Sequence, residues 1–396
     1  VVDIDDMAPD DFEQAYEARR RSFGSGGLPF AAWRAIYEPA VDERRALVAR
    51  DGGTVVASAR ILGLRQWWHG RAVPMGGVGG VIVAPEARGR GVARVLMTAI
   101  LERIGDCGDP ISMLYPATVP LYRSVGWELA GRQRTIEMAS SVARTMADDA
   151  GQAGRVRRCE KGDGPAIIAT LGEVHRSARH SGPIEWDAPQ WERSIADPAT
   201  FTYLAGDDGF VAYGLEDHGH DSVLDVSHLV ASSSATTRAL WSMVGSGSST
   251  APTLRASVAP DDPLPWLGRE QHVRVRGELW WMLRLVDAGA AIAARGFPAA
   301  VTTEIPVQVT DAVLPDNVGD HVIRVGEGRA TLDRVDDVPS APGARLRLDA
   351  NGMAALYAGV PSWTRRSAGL VHDGSPELDD ACDAAFATTA FSLDYF

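Results

Sequence analysis

Residues 81–100 read VIVAPEARGRGVARVLMTAI, an apolar run that breaks at Pro85, passes through Arg88-Gly89-Arg90-Gly91 and resumes with a different period. Up to Pro85 the β-branched residues predict a strand. From there Val92, Val95, Leu96, Ala99 and Ile100 fall at i, i+3, i+4, i+7 and i+8, one face of an amphipathic helix. Unpaired N–H groups at such a helix start sit at the positive end of the dipole, a place for pyrophosphate. The two glycines let ligand oxygens approach the main chain, and Arg88, Arg90 and Arg94 offer charge-assisted donors. The loop is neither a dinucleotide Gly-x-Gly-x-x-Gly nor a P-loop. An ordinary strand-to-helix turn with solvated arginines has the same local pattern, so the wider context decides.

Outward from this stretch, residues 10–23 have helical spacing, and residues 44–62 predict two strands joined at Asp51-Gly52-Gly53. A strand, ISMLYP (111–116), and a short helix in VPLYRSVG (119–126) complete an α/β unit. A connecting stretch at residues 140–156 leads to a second α/β unit ending near Leu285. The third segment opens with a helix in LVDAGAAIAARGF (285–297) and continues as strands in residues 302–313, 321–332 and 344–359. Helix first and sheet afterwards predicts a separate α+β domain. The expected domains are 1–137, 138–285 and 286–396, the first two being distant copies of one fold.

A length of 396 residues allows two or three domains, each with its own core. The net charge of -13 argues against nucleic acid or an anionic membrane as partner and favours cations such as polyamines. Cys107, Cys159 and Cys382 are odd in number and widely spaced, which reads as reduced thiols in a cytoplasmic protein. The acidic start VVDIDDMAPDD is unlike a signal or transit peptide, and no apolar run reaches the length of a membrane span.

The last residues, TTAFSLDYF (388–396), alternate Phe391, Leu393 and Tyr395 with Ser392 and Asp394, the pattern of a half-buried strand. A chain closing on an ordered aromatic carries a partly buried carboxylate, either a costly accident or a functional group.

Residues 88–93, Arg-Gly-Arg-Gly-Val-Ala, match the Arg-x-x-Gly-x-Gly/Ala pattern of GNAT-fold acyltransferases, which hold coenzyme A there. Together with LYPATVPLYRSVGWE (114–128), DPLPWLGREQHVRVRGELWW (262–281) and the aromatic end, the chain resembles the Eis (enhanced intracellular survival) family of acetyltransferases. The resemblance implies two GNAT-like domains, the second degenerate, followed by a sterol-carrier-protein-like α+β domain. It implies acetyl-CoA as co-substrate and no metal, a primary amine of a small molecule (aminoglycoside, polyamine or similar) or a peptide as acceptor, and a homo-oligomer, a hexamer. Main-chain groups of Val81, Ile82 and Val83 would lie along the pantetheine and acetyl carbonyl. Residues Gly89, Arg90, Gly91, Val92, Ala93 and Arg94 would take the pyrophosphate, with Ala117 and Thr118 beside the cofactor. Tyr122 corresponds to the general acid, the α-carboxylate of Phe396 to the general base, and Phe23 and Trp33 to acceptor-pocket aromatics.

Physical chemistry accepts the acid readily, because a tyrosine with a pKa near ~10 is protonated at neutral pH. The carboxylate lies about six units below an alkylammonium, a gap of roughly 8–9 kcal/mol that burial has to narrow. Aminoglycoside-acetylating relatives have acids where this chain has Ser25 and Tyr395, so a less cationic amine fits equally. In the second unit the corresponding loop, Ser232 to Thr237, has no glycine pair, which predicts one cofactor site per chain. His218 and His220 read as a solvated turn, His175 and His180 as surface, and PSWTRRSAG (361–369) with Trp280-Trp281 as core and interface packing. The competing reading is a catalytically inactive CoA- or lipid-binding sensor on the same scaffold.

Overall fold

The computed structural model describes residues 2–24, 27–146, 156–217, 222–268, 273–336 and 341–396. Among them, thirteen strands form one sheet and four a second, smaller one. The large sheet begins with Asp3–Asp6, Ala46–Asp51, Thr54–Trp68 and Arg71–Val83, and its first hairpin turns where expected, with Gly52 and Gly53 at φ +57 and +84 and Asp51 facing Thr54. Ile111–Leu114 follows in parallel, but its neighbour on the other side is Arg274–Leu285, the last strand of the second unit. That strand in turn pairs with Glu128–Ala139, which continues through Thr253–Val258 to Val223–Ala231, Gly209–Glu216, Thr200–Ala205 and Val156–Arg158. The two α/β units therefore share one sheet, in which a strand from residues 274–285 is wedged between two strands of the first unit.

The helix Val92–Asp106 covers the first unit and buries Val92, Leu96, Met97, Ile100, Leu101 and Ile104. Val95 is 46% exposed, so the apolar stripe runs along i+4 and i+5 steps rather than through Val95 as the sequence predicted. Among the described residues no helix is long and apolar enough to cross a membrane.

The third segment packs the helix Ala288–Ala294, capped by Asp287, with a sheet of Arg329–Arg334, Gly319–Gly326, Thr303–Thr310 and Leu346–Asp349. Residues 350–357, expected to continue a strand, form the helix Ala350–Tyr357 instead. Asp349 caps it by accepting from the Gly352 N–H at 2.8 Å. Nearly all its residues are buried, so neither periodicity showed in the sequence. Its Tyr357 meets Trp68 of the large sheet edge to face at 4.8 Å, and a fully buried Arg284–Asp311 ion pair at 2.6 Å ties the same domain to the strand 274–285. Trp281 joins this core, as expected, whereas Trp363 is 80% exposed and Trp280 half-exposed on the single chain, outside its core.

Candidate active site

The strand Arg71–Val83 pairs with Ile111–Leu114 only from Met75 to Gly77. Beyond Gly77 the two strands diverge, and residues 78–83 present a backbone edge that no other strand pairs on that side among the described residues. A bulge at Gly80 and Val81 bends this edge: the register with the preceding strand shifts between Ser58 and Arg60, Gly80 sits at φ +62, and its carbonyl accepts from the Tyr37 hydroxyl at 3.1 Å. Ile82 is buried, while Val81 and Val83 are half-buried.

The edge leads into the turn Pro85–Ala87 and on to Gly89 and Gly91, at φ +73 and +79. A methyl group built at either glycine would meet nothing within 4 Å, so the conformation and not crowding demands glycine there. Gly91 caps the helix Val92–Asp106 with no side-chain acceptor, which leaves the first-turn N–H groups at Val92, Ala93 and Arg94 open to an anion. Of the three arginines, Arg88 bonds the Val83 carbonyl at 3.3 Å, Arg90 pairs with Asp51 at 2.8 Å, and Arg94 is exposed. Ala117 and Thr118 are exposed at the start of the helix Val119–Arg123, across the divergence. An open strand edge, an uncapped helix start and two unobstructed glycines fit a ligand with a pyrophosphate and an amide-bearing arm.

Tyr122, on the helix Val119–Arg123, is buried and meets Trp127 edge to face at 6.4 Å. Burial pushes its hydroxyl up to about 12, with the Tyr395 hydroxyl adding to the shift.

The C-terminal tail reaches this place across the second unit. Phe391 N–H donates to the Ser181 carbonyl at 3.0 Å and Ser392 N–H to that of Arg132 at 3.1 Å. Only two isolated bridges result, not the strand the alternation predicted, and Ser392 is as buried as Phe391 and Leu393 while Tyr395 is 65% exposed. The tail runs between two walls rather than along a sheet surface, which removes the period of two. Gly131 and Gly182 make room: a methyl on them would fall 2.6 Å from the Ala390 carbonyl and 2.2 Å from the Phe391 carbonyl. The Phe396 ring lies between Tyr115 and Trp186, at 6.0 and 6.5 Å, and over Gly77, where the strands part.

Tyr395 and Phe396 line a cavity of about 640 Å³ between the two units, with Ile36, Arg60, Leu64, Trp186 and His228. Trp33 is not part of its wall; it is buried with Phe12, Phe30 and Tyr37 beneath the helix Phe30–Asp42. Phe23 is 63% exposed at the end of the helix Phe12–Phe23, and Ser25 lies outside the described residues, as do His218 and His220. Glu43 and Asp187 line the cavity wall, and the tail's side-chain carboxylate there is Asp394, one position before the residue the sequence pointed to. Trp186, His228 and Tyr115, which hold it, were also missed, because only the fold brings them to the tail.

His175 and His180 are not surface residues: His175 is 4% exposed and their Nδ1 atoms lie 3.0 Å apart. Burial holds His175 well below the usual histidine range, with His180 and His228 adding to the effect. Among the described residues no cluster of His, Cys, Asp or Glu has a metal-binding arrangement.

Two acetyltransferase (GNAT) domain families match residues 3–130 and 182–285, and the sterol carrier protein domain family matches residues 288–391. These matches and the divergent-strand site define an acyltransferase built from paired GNAT units. A GCN5-related N-acetyltransferase from Kribbella flavida superposes with a TM-score of 0.92 at 38% identity, over 100% of this chain and 98% of that one. The N-acetyltransferase Eis of Mycobacterium tuberculosis is 28% identical over 90% of this chain and 89% of its own length. Eis1 of Mycobacterium abscessus gives a TM-score of 0.77 at 26% identity over the whole of both chains. The chain belongs to the GCN5-related N-acetyltransferase family and is Eis-like within it, with two GNAT domains followed by a sterol-carrier-protein-like domain. GNAT acetyltransferases use acetyl-CoA.

Proposed function

We propose that this chain acetylates a primary amine of a small molecule or peptide by direct transfer, with Tyr122 as general acid and the α-carboxylate of Phe396 as general base. The observation that carries this reading is that Phe396, from the far end of the chain, packs over Gly77 where the strands part, while the hydroxyl of its neighbour Tyr395 is close enough to Tyr122 of the first unit to add to the rise in its pKa. Acetyl-CoA supplies an activated acetyl thioester. Residues 89–94 hold its pyrophosphate through open helix-start N–H groups. The strand edge at Val81, Ile82 and Val83, where the Val83 carbonyl already accepts from Ser22 and Arg88, offers its remaining outward groups to the pantetheine arm, and Ala117 and Thr118 close the other side. Tyr122, buried and pushed up to about 12, keeps its proton through the neutral and moderately alkaline range and delivers it to the leaving sulfur. Phe396, its ring packed beside Tyr115, Trp186 and Gly77, carries into the cavity wall the α-carboxylate that takes the proton of the amine.

The cavity of about 640 Å³ is the acceptor site. Its wall carries Glu43, Asp187 and Asp394 against Arg60 and Arg193, a mixed lining that suits an amine of modest charge better than a densely cationic one.

Thiol release from acetyl-CoA, measured against a panel of amines, tests the reading. Removing Phe396, or adding one glycine after it, is expected to lower kcat by about 10²-fold or more. Tyr122→Phe lowers kcat with little change in acetyl-CoA affinity. Unchanged turnover in both tail variants sinks the carboxylate role. Coenzyme A binding without transfer to any amine turns the reading into that of a sensor.

A further inference from the structure

Asp394 is the last residue of the tail that hydrogen bonds hold, and its partners come from three distant parts of the chain. Its Oδ1 accepts from the Trp186 indole N–H at 2.8 Å and lies 3.1 Å from His228 Nε2. Its carbonyl accepts from the Tyr115 hydroxyl at 2.6 Å and from Ser392 Oγ at 3.1 Å. Tyr115 follows the strand Ile111–Leu114 of the first unit, Trp186 follows the strand Ile184–Glu185, and His228 lies on the strand Val223–Ala231. The side chain is 12% exposed. Tyr395 and Phe396 make no hydrogen bonds to the described residues, so ring contacts alone place Phe396.

A chain end free to rotate over two residues sweeps through several ångströms, and a misplacement of about 1 Å at a reacting group costs up to ~10²-fold in rate. A carboxylate two residues before the end, held by the Trp186 N–H and by the His228 ring, at two different strands of the second unit, removes that freedom at its origin. The same carboxylate joins Trp186 to His228, two side chains of the acceptor cavity wall, so tail and wall are set together.

We propose that Asp394, held by Trp186, His228 and Tyr115, is the positioning residue that fixes Phe396 in the wall of the acceptor cavity. This rests on the proposed role of the Phe396 carboxylate. Asp394 acts through Phe396 and not on the amine.

Asp394→Ala and Trp186→Phe, compared with the full-length protein, test it. Each is expected to lower kcat by about 10-fold or more while leaving the KM for acetyl-CoA within about two-fold, at an unchanged melting temperature. His228→Leu has the same effect and His228→Gln, which keeps an N–H donor, restores most of the rate. In a chain lacking Phe396, adding Asp394→Ala causes no further loss. An undiminished kcat in Asp394→Ala, or a full additional loss in the chain without Phe396, overturns the proposal. Digestion with a carboxypeptidase that removes C-terminal aromatics reads the clamp without any activity. Phe396 is expected to leave Asp394→Ala several-fold faster than the parent, and equal rates overturn the clamp even if no amine is ever acetylated.

Discussion

The chain contains the same strand-to-helix turn twice, and the two copies serve different ends. In the first, residues 84–92, two left-handed glycines lead into a helix whose first turn no side chain caps. In the second, the strand Val223–Ala231 leads into the helix Ser234–Gly245, and Ser233 Oγ accepts from the Thr236 N–H at 3.2 Å. The donors that one turn leaves for a ligand are partly used by the protein itself in the other. The strand pairs differ in the same way. In both units a parallel pair separates after a few residues, Met75–Gly77 against Ile111–Met113 and Val223–Val226 against Thr253–Ala256. Beyond the first separation lies an open strand edge; beyond the second, Phe391 and Leu393 of the tail line a cavity of about 300 Å³ with His175, His180 and Asp262. The second unit thus receives a segment of its own chain where the first unit leaves its strand edge open. Where the second unit has no glycine pair at its turn, its cleft is a seat for the tail.

The largest effect is expected from breaking that seat. Gly182 has φ +101, and a methyl group on it would fall 2.2 Å from the Phe391 carbonyl, so Gly182→Ala expels the tail from its groove. A fall in kcat of about 10²-fold is expected, with acetyl-CoA binding intact, measured by steady-state kinetics beside calorimetric titration. Wild-type turnover in this variant means that the tail does not need its groove.

Next in size is the loss of the open turn. Gly91 sits at φ +79, where a β-branched residue costs ~1–2 kcal/mol or more in backbone strain and brings a side chain toward the bound phosphates. Gly91→Val is expected to weaken acetyl-CoA binding by about 10-fold or more, with a smaller change in kcat at saturation. An equal Kd for both proteins removes the loop from the cofactor site.

The intact turn was legible in the sequence because everything it needs is local: a strand, two glycines, a helix period. The tail was legible only in part. Phe396 is singled out only through the family resemblance, and the alternation at Phe391 and Leu393 gave burial but not the two-walled groove that hides Ser392 and exposes Tyr395. Asp394 went unnoticed because its partner Trp186 is 208 positions away and neither residue type is unusual in a polar context. The strand Arg274–Leu285, wedged between Ile111–Leu114 and Glu128–Ala139, was equally hidden, since long-range pairing leaves no periodic signal. The helix Ala350–Tyr357 was mistaken for strand for the opposite reason, being buried on nearly every side.

The smallest effect belongs to the second turn, and it separates two explanations of why that turn holds no cofactor. If the Ser233 cap alone occupies the helix start, Ser233→Gly frees it at a cost of only a few tenths of a kcal/mol. Acetyl-CoA titration would then approach two sites per chain. If the missing glycine pair and leading arginine matter as well, the stoichiometry stays at one. The second outcome is expected, because the turn Ser232 to Ser234 offers no left-handed backbone for close phosphate approach, and the tail already lines the cleft beyond it. Ser233→Ala, which removes the cap without adding flexibility, is expected to cost about 1 kcal/mol of stability in denaturant melts and to leave the KM for acetyl-CoA unchanged. A change in that KM would mean that the second turn still communicates with the first, and the division of labour between the two units would have to be redrawn.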